Sequence, residues 1–162
     1  MLSFFRRIQP AQPPRAAFIA GFGAFLGLAV LGLISKYESL PLLIAPFGAS
    51  CVLLFSVPAS PLSQPVNVIG GHVLTTLIAL VFNMLLPDAW WSVALAGGVA
   101  IALMAALRMT HPPAGADVLV VFALDPAPEF LLLPILAGGI LLVAVAVLYH
   151  RASGIRYPVA GI

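Results

Sequence analysis

The chain has 162 residues, 62% of them hydrophobic and 7% charged, with a formal net charge of +2. A mean hydropathy of +1.16 and apolar runs too long for the surface of a soluble domain leave one class: a polytopic membrane protein with a single transmembrane domain over residues 1–162. The basic balance therefore indicates the lipid bilayer rather than nucleic acid as a partner, and the single Cys51 excludes an internal disulfide or a cysteine-based metal cluster.

Residues 1–15 form a basic, proline-containing tail with Arg6, Arg7 and Arg15. Residues 16–34 are the first span, and Gly21, Gly23, Gly27 and Gly32 give it a face for close helix packing. The run is long enough to cross, and residues 35–41 offer no small-residue cleavage site, so it reads as an uncleaved span rather than a signal peptide. Residues 42–57 are apolar but interrupted by Pro46 and Gly48, which predicts a helix restarting near Pro46. A turn-rich connection over 58–65 leads to a second span, 66–86, carrying His72, Thr75, Thr76 and Asn83. Pro87 and Asp88 break it, and Trp90 and Trp91 mark a membrane interface. Residues 89–107 span again, and Arg108 closes them. The stretch Thr110-His111-Pro112-Pro113-Ala114-Gly115-Ala116-Asp117 then opens a short helix reaching Leu124. Adjacent prolines cannot lie inside a continuous helix but can begin one, because first-turn amides have no intrahelical partner. An acidic turn over 125–129 precedes the last span, 130–150, with Arg151 and Arg156 beyond it.

Two segments match. Pro46-Phe47-Gly48-Ala49-Ser50 aligns with Pro113-Ala114-Gly115-Ala116-Asp117, and the same register pairs Phe55 with Phe122, Pro61 with Pro128 and Gly71 with Gly138. Each half, about 16–86 and about 87–150, reads as span, short Pro-initiated helix, span. If all six segments cross, every arginine falls on one side, while Lys36, Glu38, Asp88, Asp125 and Glu129 fall on the other. The positive-inside rule then predicts an all-α 3+3 inverted repeat with both termini cytoplasmic. The alternative is four spans plus two re-entrant helices, which moves Arg108 outside.

A helix of about twelve residues covers ~18 Å, less than the ~30 Å hydrocarbon core, so each Pro-initiated helix is predicted to start near the midplane. Two opposed N-termini there, with free amides at Ala49, Ser50, Gly115 and Ala116 and access over Gly48 and Gly115, form an anion site without a basic side chain. His111 fits a site or proton-relay role as well as a helix entry satisfied by nearby carbonyls. A carboxylate inside the membrane costs roughly 2.5–3.5 kcal/mol on insertion scales and by default marks function, which singles out Asp117 as a proton-coupling residue; its other reading is a hydrogen-bonded structural acid. His72 and Arg108 are possible cavity-lining residues, the first against simple packing and the second against a snorkelling anchor. Ser50 is the repeat partner of Asp117. No phosphate loop, metal-ligand spacing or nucleophile–base pair stands out, so neither a cofactor nor an enzyme is expected.

The blocks His111-Pro112-Pro113-Ala114-Gly115-Ala116, Pro46-Phe47-Gly48-Ala49 and Asn67-Val68-Ile69-Gly70-Gly71-His72 resemble the HPP family of integral membrane proteins, over roughly residues 16–150. Members of that family are described with four spanning helices, and those of chloroplasts and cyanobacteria look like nitrite transporters. The resemblance implies transport of a small inorganic oxyanion such as nitrite, while the residues themselves do not select nitrite over nitrate, formate or chloride. No plastid transit peptide precedes the first span, so a bacterial inner membrane is the expected location. Two other functions compete: a structural or regulatory membrane subunit, and a proton or cation pathway through Asp117 and His111. Six short helices make a small protomer, and the glycine faces offer a route to a homo-oligomer.

Overall fold

The computed structural model describes residues 6–38 and 41–159. Among them are six α-helices and no strands: α1 Pro14–Glu38, α2 Ala45–Ser56, α3 Pro65–Leu85, α4 Trp90–Ala106, α5 Gly115–Leu124 and α6 Ala137–Ala152. Three stretches are long and apolar enough to cross a membrane: Pro14–Glu38, Pro65–Leu85 and Pro128–Ala152. Ala45–Ser56, Trp90–Ala106 and Pro112–Leu124 are shorter apolar helices.

Proline starts most of these elements. Pro14 and Pro65 open α1 and α3, Pro46 lies in the first turn of α2, and Pro112 and Pro113 form a 3-10 turn with Ala114 that runs into α5. In each case the missing amide falls where a helix has no use for it. Two helices end on left-handed residues that are not glycine. Arg108 (φ 58°) closes α4, its amide donating to Ala105 O (3.1 Å) while Met109 N donates to Met104 O (3.0 Å), a Schellman closure. Asp125 (φ 43°) closes α5 and accepts a 2.7 Å hydrogen bond from Asn83 Nδ2.

The last span is not the continuous helix expected over 130–150. Leu133 is extended (φ −133°, ψ 113°), and a π turn, Leu132–Leu136, separates the 3-10 turn Pro128–Leu131 from α6. Pro134 is the cause: its ring excludes the preceding residue from helical geometry and it donates no hydrogen bond.

The helices pack as two groups. One apolar core joins α1, α2 and α6 through Leu31, Phe47, Leu54, Phe55 and Leu142. The other joins α3, α4 and α5 through Ala79, Ala96, Ala100, Val118 and Val121. Burial follows the sequence alignment of the two halves: Pro46 and Pro113, Ser50 and Asp117, Cys51 and Val118, and Leu54 and Val121 are buried, while Val52 and Leu119 are exposed. On α1 the buried side is Gly23, Gly27 and Leu31; on α4 it includes Ala96, Ala100 and Met104 at the same spacing. Two aligned glycines are sites of close approach. A Cβ on Gly71 would lie 2.8 Å from His111 Cβ, and one on Gly138 would run into the Phe47 ring.

Hydrogen bonds define the two ends of the bundle. Tyr149 Oη donates to Ile19 O (2.7 Å), Tyr157 Oη to Ser63 O (2.9 Å) and Asn67 Nδ2 to Thr110 O (3.0 Å). These contacts gather the start of α1, the end of α6 and the α4–α5 connection at one end, together with Arg15, Arg108, Arg151 and Arg156. Asn83 and Asp125 meet at the other.

Candidate functional site

Helix α3 serves as a ruler. At 1.5 Å per residue, His72, Thr75 and Thr76 lie roughly 10–17 Å along a helix of about 31 Å. At that depth a polar network joins four elements, and all of its side chains are fully buried. On α2, Ser50 Oγ lies 2.8 Å from His72 Nε2, 2.8 Å from His111 Nε2 and 3.1 Å from Pro46 O. On α3, His72 Nδ1 lies 2.6 Å from Asp117 Oδ2 of α5, which also accepts from Thr75 Oγ1 (3.1 Å). His111 Nδ1 lies 2.8 Å from Leu62 O in the turn between α2 and α3. The two imidazoles meet edge to face with centroids 5.1 Å apart, and Phe47 closes over His72 at 5.0 Å.

Local sequence explains why these groups converge. His72 and Thr75 are three apart and share one face of α3. Gly71 lets the backbone before α5 come close enough for His111 to reach Ser50. The 3-10 turn at Pro112 then sends Asp117 along the same face of α3, parallel to it. Helix α2 runs the opposite way, so its second turn lies beside the start of α5. The two helices pass alongside each other, antiparallel, rather than meeting tip to tip.

Electrostatics makes the arrangement compulsory. An ionised carboxylate removed from water costs several kcal/mol unless it is paired and hydrogen-bonded. His72 and Thr75 supply that for Oδ2. Oδ1 of Asp117 and Oγ1 of Thr76, both buried, have no hydrogen-bond partner among the described residues.

The order Ser50 Oγ, His72 Nε2, His72 Nδ1, Asp117 Oδ2 reproduces the connectivity of a nucleophile, base and orienting acid. No such pair was legible in the sequence because the partners are 22 and 45 residues apart. Among the described residues, no three His, Cys, Asp or Glu side chains are grouped as metal ligands would be.

The other anticipated residues lie in front of this network. Ala49 and Ala116, with Val52, Leu53, Pro112 and Pro113, line an apolar depression of about 460 Å³. Gly48 and Gly115 are half-buried, and a Cβ on either would meet nothing within 4 Å. The amides differ from expectation. That of Gly115 donates to Pro112 O within the 3-10 turn, and Ala49 and Ser50 lie in the second turn of α2, past the positions that lack intrahelical partners. The cause is that α2 starts three residues before Gly48, and a 3-10 turn over Pro112–Ala114 precedes Gly115. Arg108 is exposed at the end of α4, away from the network. Thr75, Thr76 and the Leu62 carbonyl were not singled out from sequence. The spacing of Thr75 from His72 was a readable signal, whereas nothing in the sequence points to a loop carbonyl.

A helical membrane protein with a polar network sealed at mid-depth is the class these features define. The chain matches the model of the HPP transmembrane region over residues 9–158, and it belongs to that family. It is 36% identical over 148 residues to a transmembrane protein of Dictyostelium discoideum, covering 83% of this chain and 52% of the relative. A second Dictyostelium transmembrane protein is 29% identical over 149 residues, covering 84% of this chain and 48% of that one. The chain thus spans about half the length of the curated relatives it matches. No solved structure matches it.

Removing His72 leaves the Asp117 charge without its main partner. The variant His72→Leu is expected to lose on the order of 3–5 kcal/mol of stability, the usual cost of breaking a buried pair from one side. Adding Asp117→Asn should recover much of that loss, since no charge then remains. Thermal unfolding in detergent checks both; equal stability of the single and double variants would contradict the pairing argument.

Proposed function

We propose that the protein transports a small inorganic oxyanion, nitrite foremost, and couples its movement to a proton held by the Asp117 network. The observation that carries this reading is the buried chain from Asp117 through His72 and Ser50 to His111. Helix packing alone does not require two imidazoles and a carboxylate joined at mid-depth, and polar groups at such depth are costly to keep. The oxyanion itself comes from the family resemblance. Its route is proposed to pass the depression between Ala49 and Ala116, where the missing side chains of Gly48 and Gly115 allow approach to the starts of α2 and α5.

The inverted 3+3 repeat belongs to the same proposal. It is supported by the matched burial of the two halves, by the antiparallel α2 and α5, and by the equivalent contacts Gly71–Ala114 and Gly138–Phe47. The arginine-rich end is proposed to be cytoplasmic on the positive-inside rule, and a homo-oligomer through small-residue faces remains part of the reading.

The protein is proposed not to be a hydrolase, despite the Ser–His–Asp connectivity. Ser50 is fully buried, and a second imidazole occupies the approach to its oxygen. A fluorophosphonate probe is therefore expected to leave the protein in lipid unlabelled; stoichiometric labelling lost in Ser50→Ala would reverse that reading. For coupling, Asp117→Asn keeps size and hydrogen-bonding capacity but no titrating group. In proteoliposomes it should retain nitrite exchange while net uptake loses its dependence on a pH gradient. Wild-type pH dependence in that variant would make Asp117 structural.

A further inference from the structure

The contacts along the network constrain how many hydrogens it must hold. Leu62 O can only accept, so His111 Nδ1 carries a hydrogen. The Ser50 hydroxyl has one hydrogen, yet its oxygen lies 2.8 Å from both Nε2 atoms. If the hydroxyl hydrogen lies on one of these contacts, one imidazole accepts from Ser50 and the other donates to it; if it lies on Pro46 O (3.1 Å), both imidazoles must donate and still more hydrogens are needed. A further hydrogen is required between His72 Nδ1 and Asp117 Oδ2, at 2.6 Å. These four contacts need four hydrogens. Two neutral imidazoles, one hydroxyl and an ionised carboxylate supply only three.

We propose that the network holds one exchangeable proton beyond that set, at net charge zero, and that the Ser50 hydroxyl passes it between the His72–Asp117 pair and His111. In the first arrangement His72 Nε2–H donates to Ser50, Ser50 donates to His111 Nε2, and the added proton lies between His72 Nδ1 and Asp117 Oδ2. In the second, the His72 Nε2 hydrogen has moved to Ser50 Oγ and the former hydroxyl hydrogen to His111 Nε2. Two O–H and N–H bonds break and two form, His111 becomes the cation, and no heavy atom moves. Without the added proton, one 2.8 Å contact sets lone pair against lone pair and the carboxylate charge stands alone in the hydrocarbon. Turning the hydroxyl to Pro46 O (3.1 Å) does not relieve this, because both Nε2 lone pairs then face the Ser50 oxygen, and it disconnects the relay.

The groups that face the network are all accounted for. Helix α2 contributes Ser50, α3 contributes His72, Thr75 and Thr76, α5 contributes Asp117, and the segment before it His111. Cys51, next to Ser50, is buried in the apolar core. His150 on α6 makes its own contact to Leu54 O (2.8 Å) and none to the network. The proposal extends the proton-coupled reading above by naming the relay residue, and its count does not depend on which solute moves.

The test is solid-state nuclear magnetic resonance of the full chain in lipid, with ¹⁵N-histidine and ¹³C-aspartate labels and His150→Gln used to assign the third ring. His72, His111 and Asp117 together are expected to carry three titratable hydrogens: three imidazole N–H with an ionised carboxylate, or two with a protonated carboxyl. On raising the pH, all three residues should respond at one midpoint. In Ser50→Ala, His111 should stop responding with His72, and Ser50→Thr, which keeps the hydroxyl, should restore the link. Two imidazole N–H with an ionised Asp117 at every pH, or a His111 response unchanged in Ser50→Ala, would overturn the proposal. If Ser50→Ala does not fold, the wild-type count decides alone. Failure of nitrite uptake with the count intact would remove the transport reading and leave the relay standing.

Discussion

One contact constrains everything else: Asp117 Oδ2 against His72 Nδ1 at 2.6 Å, both side chains fully buried. A carboxylate at that depth has no water to solvate it, so the protein must supply its partners. The imidazole that answers it exposes a second nitrogen, which needs a partner in turn. Ser50 meets that need, then requires His111, which ends on the carbonyl of Leu62. Each link follows from the previous one by the rule that a buried polar group left unpaired costs more than a paired one gains.

The fold is arranged around this demand. Four separate elements reach one point, the continuous α3 among them. Proline provides the breaks: Pro46 starts α2 and Pro112 starts the turn into α5 partway along their paths. Non-helical backbone at membrane depth is tolerated only where protein or a cavity covers it, and here the turn lies against α3, with Pro113 and Ala114 buried. Gly71 and Gly138 then admit His111 and Phe47 at distances a side chain would forbid.

Much of this was legible in the sequence. Helical class, six apolar segments and the Pro-x-Gly-Ala breaks follow from composition and proline chemistry, and the blocks around His111 carry the family. The break at Leu133 was readable too, because a residue before proline avoids helical geometry. The network was only half legible. Asp117 stood out by its cost in a membrane, but His72 weighed no more than a packing residue and Ser50 was chosen as a repeat partner. Their union depends on partners 22, 45 and 61 residues apart, which no local pattern encodes. The amides misled for a related reason: a glycine marks where a helix can be approached, not where its ladder of hydrogen bonds begins.

An empty network with an ionised Asp117 carries one negative charge, and so does a protonated network beside a bound monovalent anion. In the proposed transport, entry of the pair leaves the buried charge unchanged, so one proton should accompany each anion and the cycle should be electroneutral. The most direct measurement is nitrite accumulation in proteoliposomes with membrane potential and pH gradient set independently, corrected for protein-free vesicles. Accumulation is expected to follow the pH gradient and to be the same at every imposed potential. Accumulation that follows the potential and ignores the pH gradient would contradict it.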